Sequence, residues 1–187
     1  MRYTSISERL ALATRAWASI DWKATDAIIE EMIRYQVCYC GMAVITKFQV
    51  GEDVAELEAD ADYHSLFGLS ERNAFRDFSR CLQGNWTRRD LDYACIANDS
   101  CIEWLRRFRD MGGVLLAGTD MQFGGIMLHR ELCNLEPVGM PPLEVITAAT
   151  GGSAKALHVE TEFGLLCYGL SADLVLLNRD PLQNLTA

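Results

Sequence analysis

The feature that most constrains the fold is a short apolar run that lies between a predicted helix and an acidic loop. Ser100-Cys101-Ile102-Glu103 has the form of a capping box, and it predicts a helix that ends at Gly112-Gly113. Residues 114–117, Val-Leu-Leu-Ala, then form a continuous apolar stretch, which is typical of a strand covered on both faces in a parallel sheet. Gly118-Thr119-Asp120 follows at once. The order predicts an α/β unit with a carboxylate at the carboxyl end of its strand, where such folds carry their chemistry.

The rest of the chain predicts further helices and two further β regions. Ser5-Ile6-Ser7-Glu8 predicts a helix over 6–19, and Thr25 or Asp26 is a candidate cap for a second helix before a strand over 37–45. Residues 51–98 give weaker signals and predict short helices or a long excursion. Helices are expected over 129–135, 142–150 and 153–157, with Leu143 facing the core, and strands over 164–169 and 172–177.

Charge and composition exclude several classes of protein. The 187 residues carry 17 Lys and Arg against 26 Asp and Glu, a net charge of −9, which argues against nucleic-acid binding because that affinity rests on clustered cations. The longest apolar stretch, 37–45, is about half of what a membrane-spanning helix needs. Seven cysteines form no CxxC pair, so we expect reduced thiols and a cytoplasmic protein, although a signal peptide on a missing N-terminus stays open.

Three polar groups are candidate ligands, and each has a simpler interpretation. Cys38 and Cys40 share a strand face, but no nearby Cys or His completes a metal site, so packing is favoured. The acidic run over 52–62 lacks the glycine and closing glutamate of a calcium loop and is interpreted as a solvated face. His64 beside it is interpreted as a surface histidine.

The order of pieces resembles the C-terminal half of the amidohydrolase superfamily, nearest the imidazolonepropionase-like and prolidase-like metal-dependent hydrolases. The resemblance covers about residues 99–187, with a fainter likeness over 17–45. It is carried by five segments: Gly118-Thr119-Asp120, His129-Arg130-Glu131-Leu132, residues 138–144, Ala148-Ala149-Thr150, and the tail from Gly164 to Asp180-Pro181-Leu182.

The resemblance implies the C-terminal portion of a TIM-like (β/α)₈ barrel plus the C-terminal strands of a small β-sandwich. Residues 37–45 would be the seventh barrel strand and residues 114–117 the eighth. The implied division is a partial barrel over 1–160, with an excursion over 51–98, and a sandwich segment over 161–187.

The same resemblance assigns Asp120 to the position of the family's aspartate, which binds a divalent metal, most often zinc, and takes a proton from the attacking water. The alternative for Asp120 is a helix cap after a tight turn. The chain has three histidines, His64, His129 and His158, and no HxH pair, so a zinc site is expected to be incomplete in this chain. His129 and His158 are interpreted as structural. No substrate-binding residue is predicted.

We therefore expect a fragment of a hydrolase for an amide or cyclic-amide C–N bond, inactive alone, whose parent acts on a small amide or peptide-like substrate. Two alternatives stay open: a non-catalytic half-barrel remnant with a binding or structural role, and one chain of a split hydrolase completed by a complementary N-terminal chain. Unpaired strand edges also predict that the chain associates with other chains, and a homo-oligomer is one form that this association can take. Neither nucleic acid nor membrane is expected as a partner.

Overall fold

The computed structural model describes residues 5–50, 52–84, 86–121 and 123–185, with no side-chain description over 48–53. Over these ranges the chain is mostly helical, with one small parallel sheet. The elements in chain order are α1 (Ile6–Ala18), α2 (Trp22–Arg34), β1 (Cys38–Cys40), α3 (Ala43–Val50), α4 (Glu52–Ala59), α5 (Ala61–Leu66), α6 (Leu69–Gln83), α7 (Arg88–Asp110), β2 (Val114–Leu116), α8 (Gly124–Leu135), a 3-10 turn (Glu136–Val138), α9 (Pro142–Ala149) and α10 (Gly151–Ala156).

The chain forms two compact units. The first comprises the residues up to Trp22 together with Val44–Ile102, and the second comprises Lys23–Ala43 together with the residues from Glu103 onward. Helix α7 contributes residues to both units. The predicted boundary near residue 160 stays a prediction.

In the first unit, α1 begins as the sequence predicts and packs against α6. The Ser5 hydroxyl accepts a hydrogen bond from the Glu8 backbone N–H at 3.2 Å, which caps the helix. The Ser7 hydroxyl donates to the Gln83 carbonyl at 2.9 Å, and the Trp86 indole N–H donates to the Ser7 carbonyl at 3.1 Å. These bonds join the start of α1 to the end of α6.

Helix α7 begins earlier than the sequence predicts. The predicted capping box Ser100-Cys101-Ile102-Glu103 lies inside the helix, so that prediction is wrong. The reciprocal bonds occur instead between Thr87 and Asp90: the Asp90 N–H donates to the Thr87 hydroxyl at 3.3 Å, and the Thr87 N–H donates to the Asp90 carboxylate at 2.9 Å. Arg15 of α1 pairs with the same carboxylate.

The described residues between 52 and 98 form α4, α5, α6 and the first part of α7, and the last two helices are longer than the short helices predicted there. Two of the acidic residues in this segment have structural roles: Asp60 accepts from the Asp62 N–H at 2.8 Å at the start of α5, and Glu58 pairs with Arg76 at 2.8 Å. His64 is exposed, as predicted, and its Nε2 lies 2.8 Å from the Glu58 carbonyl oxygen.

The second unit is organised around the two strands. They pair in parallel, with Cys38 opposite Val114 and Cys40 opposite Leu116. The ring of Tyr39 lies 4.3 Å from that of Trp104 and 5.9 Å from that of Phe108, measured between centroids. The sheet therefore packs on the last turns of α7 through an aromatic cluster.

Two part-buried arginines hold the end of α7 to neighbouring helices. Arg107 donates to both carboxylate oxygens of Asp26 at 3.0 Å. Asp26 lies inside α2, so it pairs with α7 and does not cap α2. Arg109 contacts both oxygens of Glu144 in α9, at 2.9 and 3.0 Å. Such charge-assisted contacts fix orientation as well as proximity.

The predicted fold class is wrong. The described residues are 64% helical and contain a two-stranded sheet in place of part of a TIM-like (β/α)₈ barrel and strands of a β-sandwich. The strand expected over 37–45 ends at Cys40, because Met42 has a left-handed backbone (φ 48°) and α3 begins at Ala43. A strand cannot continue through such a residue.

The two strands expected over 164–169 and 172–177 are also absent from the described residues, which there lie outside helices and strands. Two predicted burials are wrong as well. Val114 is half exposed, so β2 is not covered on both faces, and Leu143 points outward from α9, whose Val145 and Ala148 are buried instead.

Candidate functional site at the carboxyl ends of the strands

The carboxyl ends of β1 and β2 bring two loops to one edge of the sheet. Because the strands are parallel, residues 41–43 and 117–120 leave at the same edge. The loops approach closely, since a Cβ atom added to Gly118 would lie 2.6 Å from the Cys40 sulfur. Glycine is therefore needed at position 118 for the second loop to pass the thiol.

Asp120 lies on the second of these loops, exposed to solvent. Its backbone is left-handed, with φ 47°, a conformation that aspartate adopts more readily than most residues. The Thr119 hydroxyl accepts from the Met121 N–H at 3.3 Å and so stabilises the turn around Asp120. The cap alternative for Asp120 is wrong, because the N-cap position of α8 is occupied by Phe123. The catalytic role of Asp120 stays a prediction.

A buried carboxylate that sequence reasoning gave no role lies at the same edge. Glu131 is fully buried on α8, and its Oε1 accepts from the Ala43 N–H at 3.1 Å. It therefore holds the first residue of α3 at the carboxyl end of β1. The sequence signal was its place one helical turn after Met127 and one before Leu135, both of which are buried.

The Cys40 thiol faces this carboxylate and is poorly suited to nucleophilic attack. Burial raises the pKa of Cys40, and the negative charge of Glu131 raises it further. A raised pKa keeps the thiol protonated at neutral pH, whereas nucleophilic and metal-binding cysteines are thiolates. Cys40 is half-buried, which agrees with the packing interpretation, whereas Cys38 is exposed and does not agree with it.

The described residues do not fit a zinc ion. They contain no group of three or more His, Cys, Asp or Glu side chains placed to hold a metal, so the predicted zinc-dependent site at Asp120 is unsupported and is corrected here. His129 hydrogen-bonds through Nε2 to the Leu185 carbonyl at 2.6 Å, which agrees with a structural role. His158 lies with the amino ends of the strands, opposite the Asp120 loop.

A groove of about 580 Å³ lies at those amino ends, which we call the amino-end groove. Three helices end around it in the same way, since α2, α7 and α10 each close with a left-handed residue, respectively Gln36, Gly112 and His158. Helix carboxyl ends carry partial negative charge. Lys155 and the apolar side chains of Ile33, Val37 and Val114 complete the lining.

Among the described residues, no helix combines the length and the apolar character required to cross a bilayer. No protein-family model matches the chain, and neither the curated proteins nor the solved structures contain a match.

Proposed function

We propose that this chain supplies the catalytic carboxylate Asp120 to an enzyme that hydrolyses an amide or cyclic-amide C–N bond, and that it is inactive without a second polypeptide. The supporting observation is the position of Asp120. It is an exposed carboxylate on a left-handed loop that directly follows β2, at the edge where parallel strands deliver their side chains. The resemblance to amidohydrolases supports the same reaction class.

In this proposal Asp120 acts as the general base. Its carboxylate accepts a proton from a water molecule as the water oxygen attacks the carbonyl carbon of the substrate. The C–N bond then breaks, and the proton passes from Asp120 to the departing nitrogen, which gives an acid and an amine. Thr119 acts as a positioning residue through its bond to the Met121 N–H.

The groups that bind and orient the substrate are assigned to the second polypeptide. The proposal gives no metal to the described residues, because they do not fit one. The substrate class is a small amide or a peptide-like molecule. We place the reaction in the cytoplasm, because all seven cysteines are free thiols.

Complementation tests the proposal. The chain, the N-terminal half of an imidazolonepropionase-like or prolidase-like hydrolase, and their mixture are each assayed on amide and cyclic-amide substrates with zinc present. We expect hydrolysis only in the mixture. Absence of hydrolysis in the mixture, or equal hydrolysis by the N-terminal half alone, would overturn the proposal.

The amino-end groove favours a second candidate function, a non-catalytic binding protein. Its volume of about 580 Å³ falls within the usual range of small-molecule sites. Three helix carboxyl ends favour a cationic hydrogen-bond donor, whereas Lys155 opposes one, and Val37 and Val114 offer apolar surface for a ring. An aromatic amidine or amine fits this combination.

Benzamidine is a suitable probe for this second function. It should raise the melting temperature of the wild-type chain. Ala156→Phe fills part of the groove from α10 and should abolish that shift, whereas Leu143→Phe, on the exposed side of α9, should retain it. A wild-type chain whose melting temperature does not respond to benzamidine would exclude this ligand class.

A further inference from the structure

The C-terminal segment forms an exposed arc that is fixed at both ends. At its start, Gly164 lies against α10 so closely that an added Cβ would come within 2.6 Å of the Ala154 Cβ. At its end, Leu185 is buried, and its carbonyl lies 2.6 Å from the His129 Nε2. The intervening residues are therefore held at the surface of the second unit by two anchors.

Between these anchors lies an exposed apolar run, Leu174-Val175-Leu176-Leu177. Val175 is 84% exposed and Leu176 is 98% exposed, so both alternating faces of the run point to solvent. Among the described residues, the backbone of 172–178 makes no hydrogen bond to another backbone group. An apolar segment whose backbone N–H and C=O groups make no backbone hydrogen bond can add to another strand as an extended chain.

We propose that residues 172–179 pair antiparallel with the same segment of a second copy of this chain, with the two-fold axis at Leu176. In this register Val175 lies opposite Leu177, and Asp173 of each copy lies opposite Arg179 of the other. Both residues are exposed in the single chain, and the antiparallel register forms two opposite-charge pairs between them. The bend at 178–179 straightens as Arg179 joins the ladder.

Charge favours a second copy of this chain, rather than a membrane surface, as the partner of residues 172–179. The arc carries Asp173 and Asp180 against Arg179, Glu160 and Glu162 lie just before it, and the whole chain has a net charge of −9. An anionic bilayer would repel this surface, whereas the antiparallel register turns one of these acids into an ion pair. Because two chains of charge −9 also repel each other, the pairing is expected to strengthen at physiological ionic strength.

Sedimentation equilibrium of the full chain at physiological ionic strength tests the proposal. The wild type should dimerise, and Leu176→Asp should remain monomeric, since it places two like charges at the axis. Leu143→Asp is the matched control: it alters an exposed leucine on α9 and should dimerise like the wild type. A wild type that stays monomeric, with or without binding to phosphatidylserine vesicles, would overturn the proposal.

Charge reversal tests the register. Asp173→Arg alone and Arg179→Asp alone each place like charges opposite one another and should weaken dimerisation by on the order of tenfold. The double variant restores two opposite pairs and should recover the wild-type dissociation constant. If the double variant is as weak as either single variant, the register centred on Leu176 is wrong.

Discussion

The buried carboxylate of Glu131 accepts a hydrogen bond at 3.1 Å from the backbone N–H of Ala43, 88 residues away in sequence. This contact joins α8 to the first turn of α3 at the edge of the sheet that carries Asp120. It links the loop after β1 to the helix that follows the Asp120 loop.

Removing this carboxylate should destabilise the chain. Glu131→Ala leaves the Ala43 N–H without this acceptor and opens a cavity, so we expect a loss of about 2–4 kcal/mol in the free energy of unfolding. Glu136→Ala, at an exposed position just after α8, should cost less than about 0.5 kcal/mol. Urea unfolding measures both changes. Equal effects of the two substitutions would contradict the assigned role of Glu131.

Asp90 should give the first unit a marked acid sensitivity. Hydrogen bonds from the Thr87 hydroxyl, the Arg15 guanidinium and the Thr87 N–H lower the pKa of Asp90 from 3.8 to about 2. Because the folded pKa is depressed, the stabilisation is complete above about pH 4 and is lost as the pH falls towards 2. Stability measured against pH should fall less steeply in Asp90→Asn, while Asp92→Asn, at an exposed site, should keep the wild-type slope.

Gly112 should be required for its backbone conformation alone. Its φ is +97°, and an added Cβ would meet no atom within 4 Å, so Gly112→Ala should cost about 1–2 kcal/mol without any clash. Gly125 also has open space around an added Cβ but lies inside α8, and Gly125→Ala should stabilise by about 0.5–1 kcal/mol. Thermal melting should show a lower melting temperature for Gly112→Ala and a higher one for Gly125→Ala. Two changes of the same sign would refute the distinction.

Metal removal should leave the isolated chain unaffected. The described residues form no metal cluster, so treatment with a chelator should not shift the melting temperature, and the purified chain should hold zinc far below one equivalent. Metal analysis that returned about one tightly bound zinc per chain, lost in Asp120→Asn, would contradict this account.

Local signals in the sequence predicted several elements correctly. The Ser5 cap fixed the start of α1, and proline at the first position marked the start of α9. Both depend on residues within one helical turn, which is the range that a sequence pattern covers directly.

The errors arose where a distant contact or an unusual backbone decides the structure. Met42 adopts a left-handed backbone and Glu131 accepts from Ala43, so a run that is apolar throughout becomes strand, turn and helix. Helix α7 begins at the Thr87–Asp90 pair, which is stabilised by Arg15, 75 residues from Asp90 in sequence. Ser100 lies inside the helix and does not cap it.

The candidate site was predicted only in part. Gly118-Thr119-Asp120 identified the loop because glycine, a hydroxyl and a carboxylate after an apolar run are a local pattern. Glu131 was missed because its partner is a backbone amide, which leaves no trace in side-chain spacing. The amino-end groove was missed for a similar reason, since it is formed by three helix ends that are far apart in sequence.

The turnover number of the complemented enzyme, measured for wild type and Asp120→Asn, shows whether Asp120 is the catalytic base. The substitution keeps the shape of the side chain and removes its basicity, so we expect turnover to fall by about 10²–10⁴-fold. Thr119→Val should cost far less, and Asp92→Asn, at an exposed site on α7, should leave the rate unchanged. An Asp120→Asn enzyme that retains the wild-type turnover number would show that Asp120 is not the catalytic base.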